Sequence, residues 1–183
     1  MGLIVTFAGG RGSGKSTLSA ELSRRLGYAR VSFGDYVRGE AHRRGLTSRD
    51  EVLQSIGEEL VSAGPTTFAR NVLSTVVWDA NGVLLVDGVR HKEILEAIRS
   101  IAAPTPVKLV FVNVDKEQRK ERLSVRGDDG RQFDKLEAAS TEVQVAGVLP
   151  KLADLVVDGS MPVTDSISTL VRAISQWLPS HTT

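Results

Sequence analysis

The chain has 183 residues, 41% of them apolar, with 23 basic against 22 acidic side chains and no cysteine. That length suits one domain with a sizeable core. The near-cancelling charge argues against nucleic acid or a membrane surface as the main partner. Without cysteine there is no disulfide framework, no thiol nucleophile and no cysteine metal site.

Apolar, β-branched runs alternate with segments of helical period, which predicts an α/β domain with a parallel sheet covered on both faces. The first strand is Leu3–Ala8. It is too short to span a membrane and no basic segment precedes it, so the expected location is the cytoplasm. Residues 1–6 match an N-myristoylation pattern, but Gly2 leads straight into the strand and the match is read as accidental.

Gly9-Gly10-Arg11-Gly12-Ser13-Gly14-Lys15-Ser16 follows that strand and precedes a helical pattern from Ser16 to Leu26, which Gly27 ends. Gly, four residues, then Gly-Lys-Ser is the spacing of a loop that wraps the phosphates of a nucleoside triphosphate. Glycines let successive backbone N–H groups point inward, and the helix adds the positive end of its dipole. The backbone from Gly10 to Thr17 is therefore expected to hold the donor. Lys15 would supply a cation for the β- and γ-phosphates, and the Ser16 hydroxyl a ligand for Mg²⁺.

Ala29–Ser32 reads as the second strand, and 34–77 as a helical insertion. Within it Ser48-Arg49-Asp50-Glu51 has the spacing of a capping box before a helix that Gly64-Pro65 ends, and Phe68 to Val77 predicts another helix. Trp78 fits either the insertion's core or a contact with a second copy. Asn81-Gly82 turns the chain into a strand at Val83–Asp87, and a fourth strand is expected over Val107–Val114. Lys116 to Val125 is a polar helix, 127–136 a short polar loop, Leu155–Val157 a fifth strand, and Ser166 to Leu178 a final helix. Trp177 belongs to that helix's core or rim.

The remaining chemistry lies in arginines and acids at strand ends: Asp35 and Arg38 after the second strand, Asp87 and Arg90 at the third, Arg122 and Arg126 after the fourth. Ligands of open α/β sheets bind beyond those ends. Asp87 after four apolar residues suits an acid acting on Mg²⁺ through water. Arg122 and Arg126, four apart, share a helix face. Arg119 reads instead as part of a charged surface, and Asp128-Asp129 as a solvated turn. Gly159-Ser160 offers a place for backbone to approach a donor base. His42, His91 and His181 are too scattered for a metal site, and no Asn-Lys-x-Asp segment reads guanine as a switch protein would.

Over nearly its whole length the chain resembles the nucleoside monophosphate kinases, including adenylate and cytidylate kinases and dephospho-CoA kinase. The carrying segments are the phosphate loop, Gly34-Asp35-Tyr36-Val37-Arg38, Asp87-Gly88-Val89-Arg90 and Arg122 with Arg126. The resemblance implies a P-loop NTPase fold, a five-stranded parallel sheet in the order 2-3-1-4-5 with an acceptor-binding insertion and a short lid. Arg38 and Arg90 would grip the acceptor phosphate, and Asp35 would stand near the reacting oxygens and the metal. Arg122 would pack over the donor base, Arg126 reach the transferring phosphates, and Arg131 swing in with the lid.

The expected function is transfer of the γ-phosphoryl group of ATP·Mg²⁺ to a small nucleotide-type acceptor, by a monomer or homodimer. Phosphorylation of a ribose hydroxyl, as by dephospho-CoA kinase, and a regulatory ATPase without transfer are the alternatives. The Asp-Gly-Val-Arg segment lacks the family's proline, and His91, Lys92, Glu93 and Ile94 stand where a glutamine reads adenine. The acceptor base is left open.

Overall fold

Successive residues of β1 (Leu3–Ala8) go to opposite sides of a sheet. Leu3, Val5 and Phe7 join one hydrophobic cluster, and Ile4 and Ala8 the other. The same alternation divides β3 (Val83–Asp87) and β4 (Val107–Asn113). Leu84, Val86, Leu109 and Phe111 enter the first cluster, and Val83, Leu85, Val110 and Val112 the second. Strands with apolar residues on both of their faces therefore fill two cores at once. These features come from a computed structural model that describes residues 2–125, 133–134, 137 and 145–178.

With β2 (Ala29–Ser32) and β5 (Leu155–Asp158), the sheet has five strands in the order β2-β3-β1-β4-β5, as expected. Each paired neighbour is parallel. α1 (Lys15–Leu26) and the C-terminal α8 (Val163–Trp177) cover one face through Leu18, Leu22, Ile167, Leu170 and Ile174. On the other face lie α4 (Pro65–Leu73) and α5 (Lys92–Ala102), through Phe68, Ala69, Val72, Ile94, Leu95 and Ile98. The insertion supplies α2 (Phe33–Arg43) and α3 (Asp50–Ala63). Beyond β4 come α6 (Lys116–Ser124) and the short α7 (Leu149–Leu152).

Several boundaries differ from the sequence expectation. α3 begins at Asp50 after Arg49, with no side-chain cap, so Ser48 is not its capping residue. α4 runs from Pro65 to Leu73 rather than Phe68 to Val77. Pro65 ends one helix and starts the next, because its missing N–H costs nothing in a first turn. α2 starts directly at the end of β2, where the Ser32 hydroxyl accepts from the Asp35 N–H at 3.2 Å. α8 starts three residues early, at Val163. Trp78 packs against the insertion-side core and Trp177 against the other cluster, which places Trp78 within this chain's own packing.

Candidate active site

The chain leaves β1 in the middle of the sheet, and β3 and β4 flank it on opposite sides. That reversal of strand order opens a crevice at the carboxyl ends, the usual ligand position in such sheets. The phosphate loop fills it. Gly12 and Gly14 adopt φ of 76° and 89°, left-handed backbone that favours glycine. Gly14 is the N-cap of α1, so the helix begins at Lys15 inside the loop.

A cavity of about 300 Å³ extends from the loop into the insertion. Lys15, Ser16, Arg11 and Gly12 form one end; Gly34, Arg38, Asp87, Arg90 and the inner face of α3 form the rest. Lys15 is 8% exposed and its Nζ lies 3.4 Å from the Gly10 carbonyl oxygen. The donor loop and both predicted acceptor arginines thus face one space. Arg38 Nη2 donates to Asp35 Oδ1 at 2.5 Å. Asp35 itself is more than half exposed, held between Arg38 and Arg30, whose Nη1 is 3.7 Å away.

Asp87 is 2% exposed. Its Oδ2 accepts from Arg30 Nη2 at 2.8 Å, whereas Oδ1 is buried without a hydrogen-bond partner. A buried carboxylate oxygen left unmatched is costly, and this one belongs to a residue lining the same cavity as Ser16. Among the described residues no group of three or more acidic or histidine side chains could hold a metal alone. Mg²⁺ needs no such cage, since one or two carboxylates with phosphates and water suffice. Ser16 and Asp87 fit that donor set.

Arg30 was not singled out in the sequence. Its Nε also donates to Ser19 Oγ at 2.9 Å, and that hydroxyl donates to the Ser16 carbonyl at 3.1 Å. One guanidinium therefore ties β2 to Asp87 and to the helix that carries Ser16. Arg119 was read as solvated surface, and the structure corrects that reading. It is about 11% exposed, forms a fork to Glu137 at 2.6 and 2.7 Å, and reaches the Arg11 carbonyl at 3.3 Å. A Cβ on Gly10 would collide with its guanidinium. Arg119 is a buttress beneath the phosphate loop.

Arg122 lies beside the phosphate loop, with Nη2 2.9 Å from the Gly159 carbonyl and Nη1 3.5 Å from that of Gly12. Gly159 presses on the loop itself: a Cβ there would stand 2.7 Å from the Ser13 carbonyl. Nearby, the hydroxyl and then the backbone N–H of Ser160 hold the Asp158 carboxyl below its usual range. Arg126, Arg131 and nearly all of the expected lid 127–136 lie outside the described residues.

Among the described residues no helix is long and apolar enough to cross a membrane. Residues 8–140 match the family model described as an AAA domain. A UPF0200 protein of Methanothrix thermoacetophila is 38% identical over 138 residues, covering 74% of this chain and 73% of that one. Among solved structures, shikimate kinase from Aquifex aeolicus superposes with a TM-score of 0.60 at 20% identity, covering 96% and 99% of the two chains. A gluconokinase from Sinorhizobium meliloti gives 0.57 at 16% identity, covering 94% and 91%. At such identities the likeness shows the fold, that of P-loop kinases. The chain belongs to the UPF0200 family and carries an AAA-type domain with the nucleotide-binding fold of P-loop kinases.

Proposed function

We propose that this protein moves the γ-phosphoryl group of ATP onto the phosphate of a nucleotide-type acceptor. The observation that carries the reading is the shared cavity: Lys15 and Ser16 at one end, Arg38 and Arg90 further in, with Asp87 among them. Phosphoryl transfer asks for alignment and for neutralised charge on the moving group rather than for covalent help. Lys15 and the loop amides would bind the donor. Arg38 and Arg90 would clamp the acceptor phosphate, which planar guanidinium forks match well. Arg122 would act on the donor side. Ser16 and Asp87 would hold Mg²⁺, which when bound would supply further neutralisation of phosphate charge.

Hydroxyl phosphorylation is the weaker reading. It needs a base near the acceptor, and Asp35, the residue suited to that role, is engaged by Arg38. A panel of nucleoside monophosphates and dephospho-CoA, assayed with ATP·Mg²⁺, tests the choice. At least one monophosphate is expected to accelerate ATP consumption with matching formation of its diphosphate. ATP binding that no acceptor turns into faster consumption would favour a regulatory ATPase. Acceleration by dephospho-CoA alone would favour hydroxyl transfer.

A further inference from the structure

Beyond the phosphates, the cavity has a wall of different chemistry. Along α3, Asp50, Leu53, Gln54, Gly57, Glu58 and Val61 all line it, the spacing of one helix face. Asp50 is tied to the phosphate loop by Arg11 Nη2 at 2.5 Å. Glu58 stands eight residues further, about 12 Å along the axis at ~1.5 Å per residue. Gln54 Nε2 donates to Glu58 Oε1 at 3.1 Å. At Gly57, between them, the place a Cβ would take is open for 4 Å around. Phe68 and Ile94 add apolar surface to the cavity's lining.

We infer that this wall is the base-reading subsite of the acceptor, and that it selects a base whose edge presents adjacent N–H donors, guanine foremost. The inference rests on the nucleotide-acceptor reading above. Apolar walls and the open face at Gly57 suit a flat ring, whereas a polyol would leave its hydroxyls against Phe68 and Ile94 without partners. A carboxylate only accepts hydrogen bonds. The guanine edge offers it two neighbouring donors, the ring N–H and the exocyclic amine. Adenine and cytosine offer an amine beside a ring acceptor, which the Gln54 amide can complement. Uracil flanks its one N–H with two carbonyls, which a carboxylate repels. Selection by unmatched polar groups is strong because the mismatch stays buried.

Equilibrium binding of GMP, AMP, CMP and UMP to the full chain, without ATP, tests this independently of transfer. GMP is expected to bind at least tenfold more tightly than UMP, and Glu58→Gln to remove most of that difference. Binding of ATP·Mg²⁺ by the variant, unchanged, would show that it folds. Gln54→Leu is expected to weaken AMP and CMP more than GMP. If UMP binds as well as GMP, or if Glu58→Gln leaves the ranking intact, the subsite assignment is overturned, and the transfer reading survives provided that a monophosphate is still phosphorylated. If no monophosphate binds or is phosphorylated, both fall together.

Discussion

Lys15→Ala is expected to lower turnover by about a hundred- to a thousand-fold, the scale of removing one preorganised electrostatic donor. Lys15 is 8% exposed within the phosphate loop, where low effective dielectric makes a charge count for more than in bulk water. The neighbouring arginine of the loop, Arg11, is held by Asp50. The variant should fold, since alanine is the strongest helix former and the position opens α1. Steady-state rates with the best acceptor, beside ATP affinity by calorimetry, give the answer. Near-normal turnover in a folded Lys15→Ala protein would remove the donor assignment.

Arg90→Ala is expected to act on the other substrate. Losing hydrogen bonds to a charged phosphate costs about 1.5–3 kcal/mol, so the acceptor's half-saturating concentration should rise by roughly ten- to 150-fold at ~1.4 kcal/mol per decade. ATP affinity should hardly move. Arg90→Lys should recover only part of the loss, because an ammonium restores the charge without the planar fork. A variant that loses ATP binding while keeping its acceptor affinity would place Arg90 on the donor side instead.

How much of this was readable before the fold was known follows from the range of each interaction. The phosphate loop, its strand and its helix are contiguous, so eight residues in a row announce them. The sheet was legible because apolar runs such as 83–86 fill both cores, and the strand limits came within a residue. That Asp87, Arg38 and Arg90 line one cavity could be expected from their places at or just past strand ends.

Arg30 and Arg119 could not. Arg30 meets Asp87 across 57 residues, and Arg119 meets Arg11 across 108, so no local spacing marks either. In a helix as polar as Lys116–Ser124, an arginine turned inward reads like its solvated neighbours. The base-reading wall was hidden for a related reason. Gln54, Gly57 and Glu58 look like an ordinary polar helix surface until α4 and α5 enclose the space in front of them.

Ser48 failed as a cap because four residues fit a capping pattern that the helix, beginning at Asp50, does not use. Asp50, at the first position of α3, joins that helix to the phosphate loop through Arg11. Short-range signals therefore located the phosphate loop, and long-range pairing decided how the cavity around it is built.

The convergence of two substrates on one cavity is tested most directly by the affinity of a two-headed nucleotide, adenosine and guanosine joined through five phosphates. If Lys15 and Arg38 grip opposite ends of one phosphate chain, joining the halves should tighten binding about a hundredfold or more over ATP, and Lys15→Ala and Arg38→Ala should each loosen it. Binding no tighter than that of ATP, or affinity indifferent to Arg38→Ala, would mean that the donor and acceptor positions do not meet.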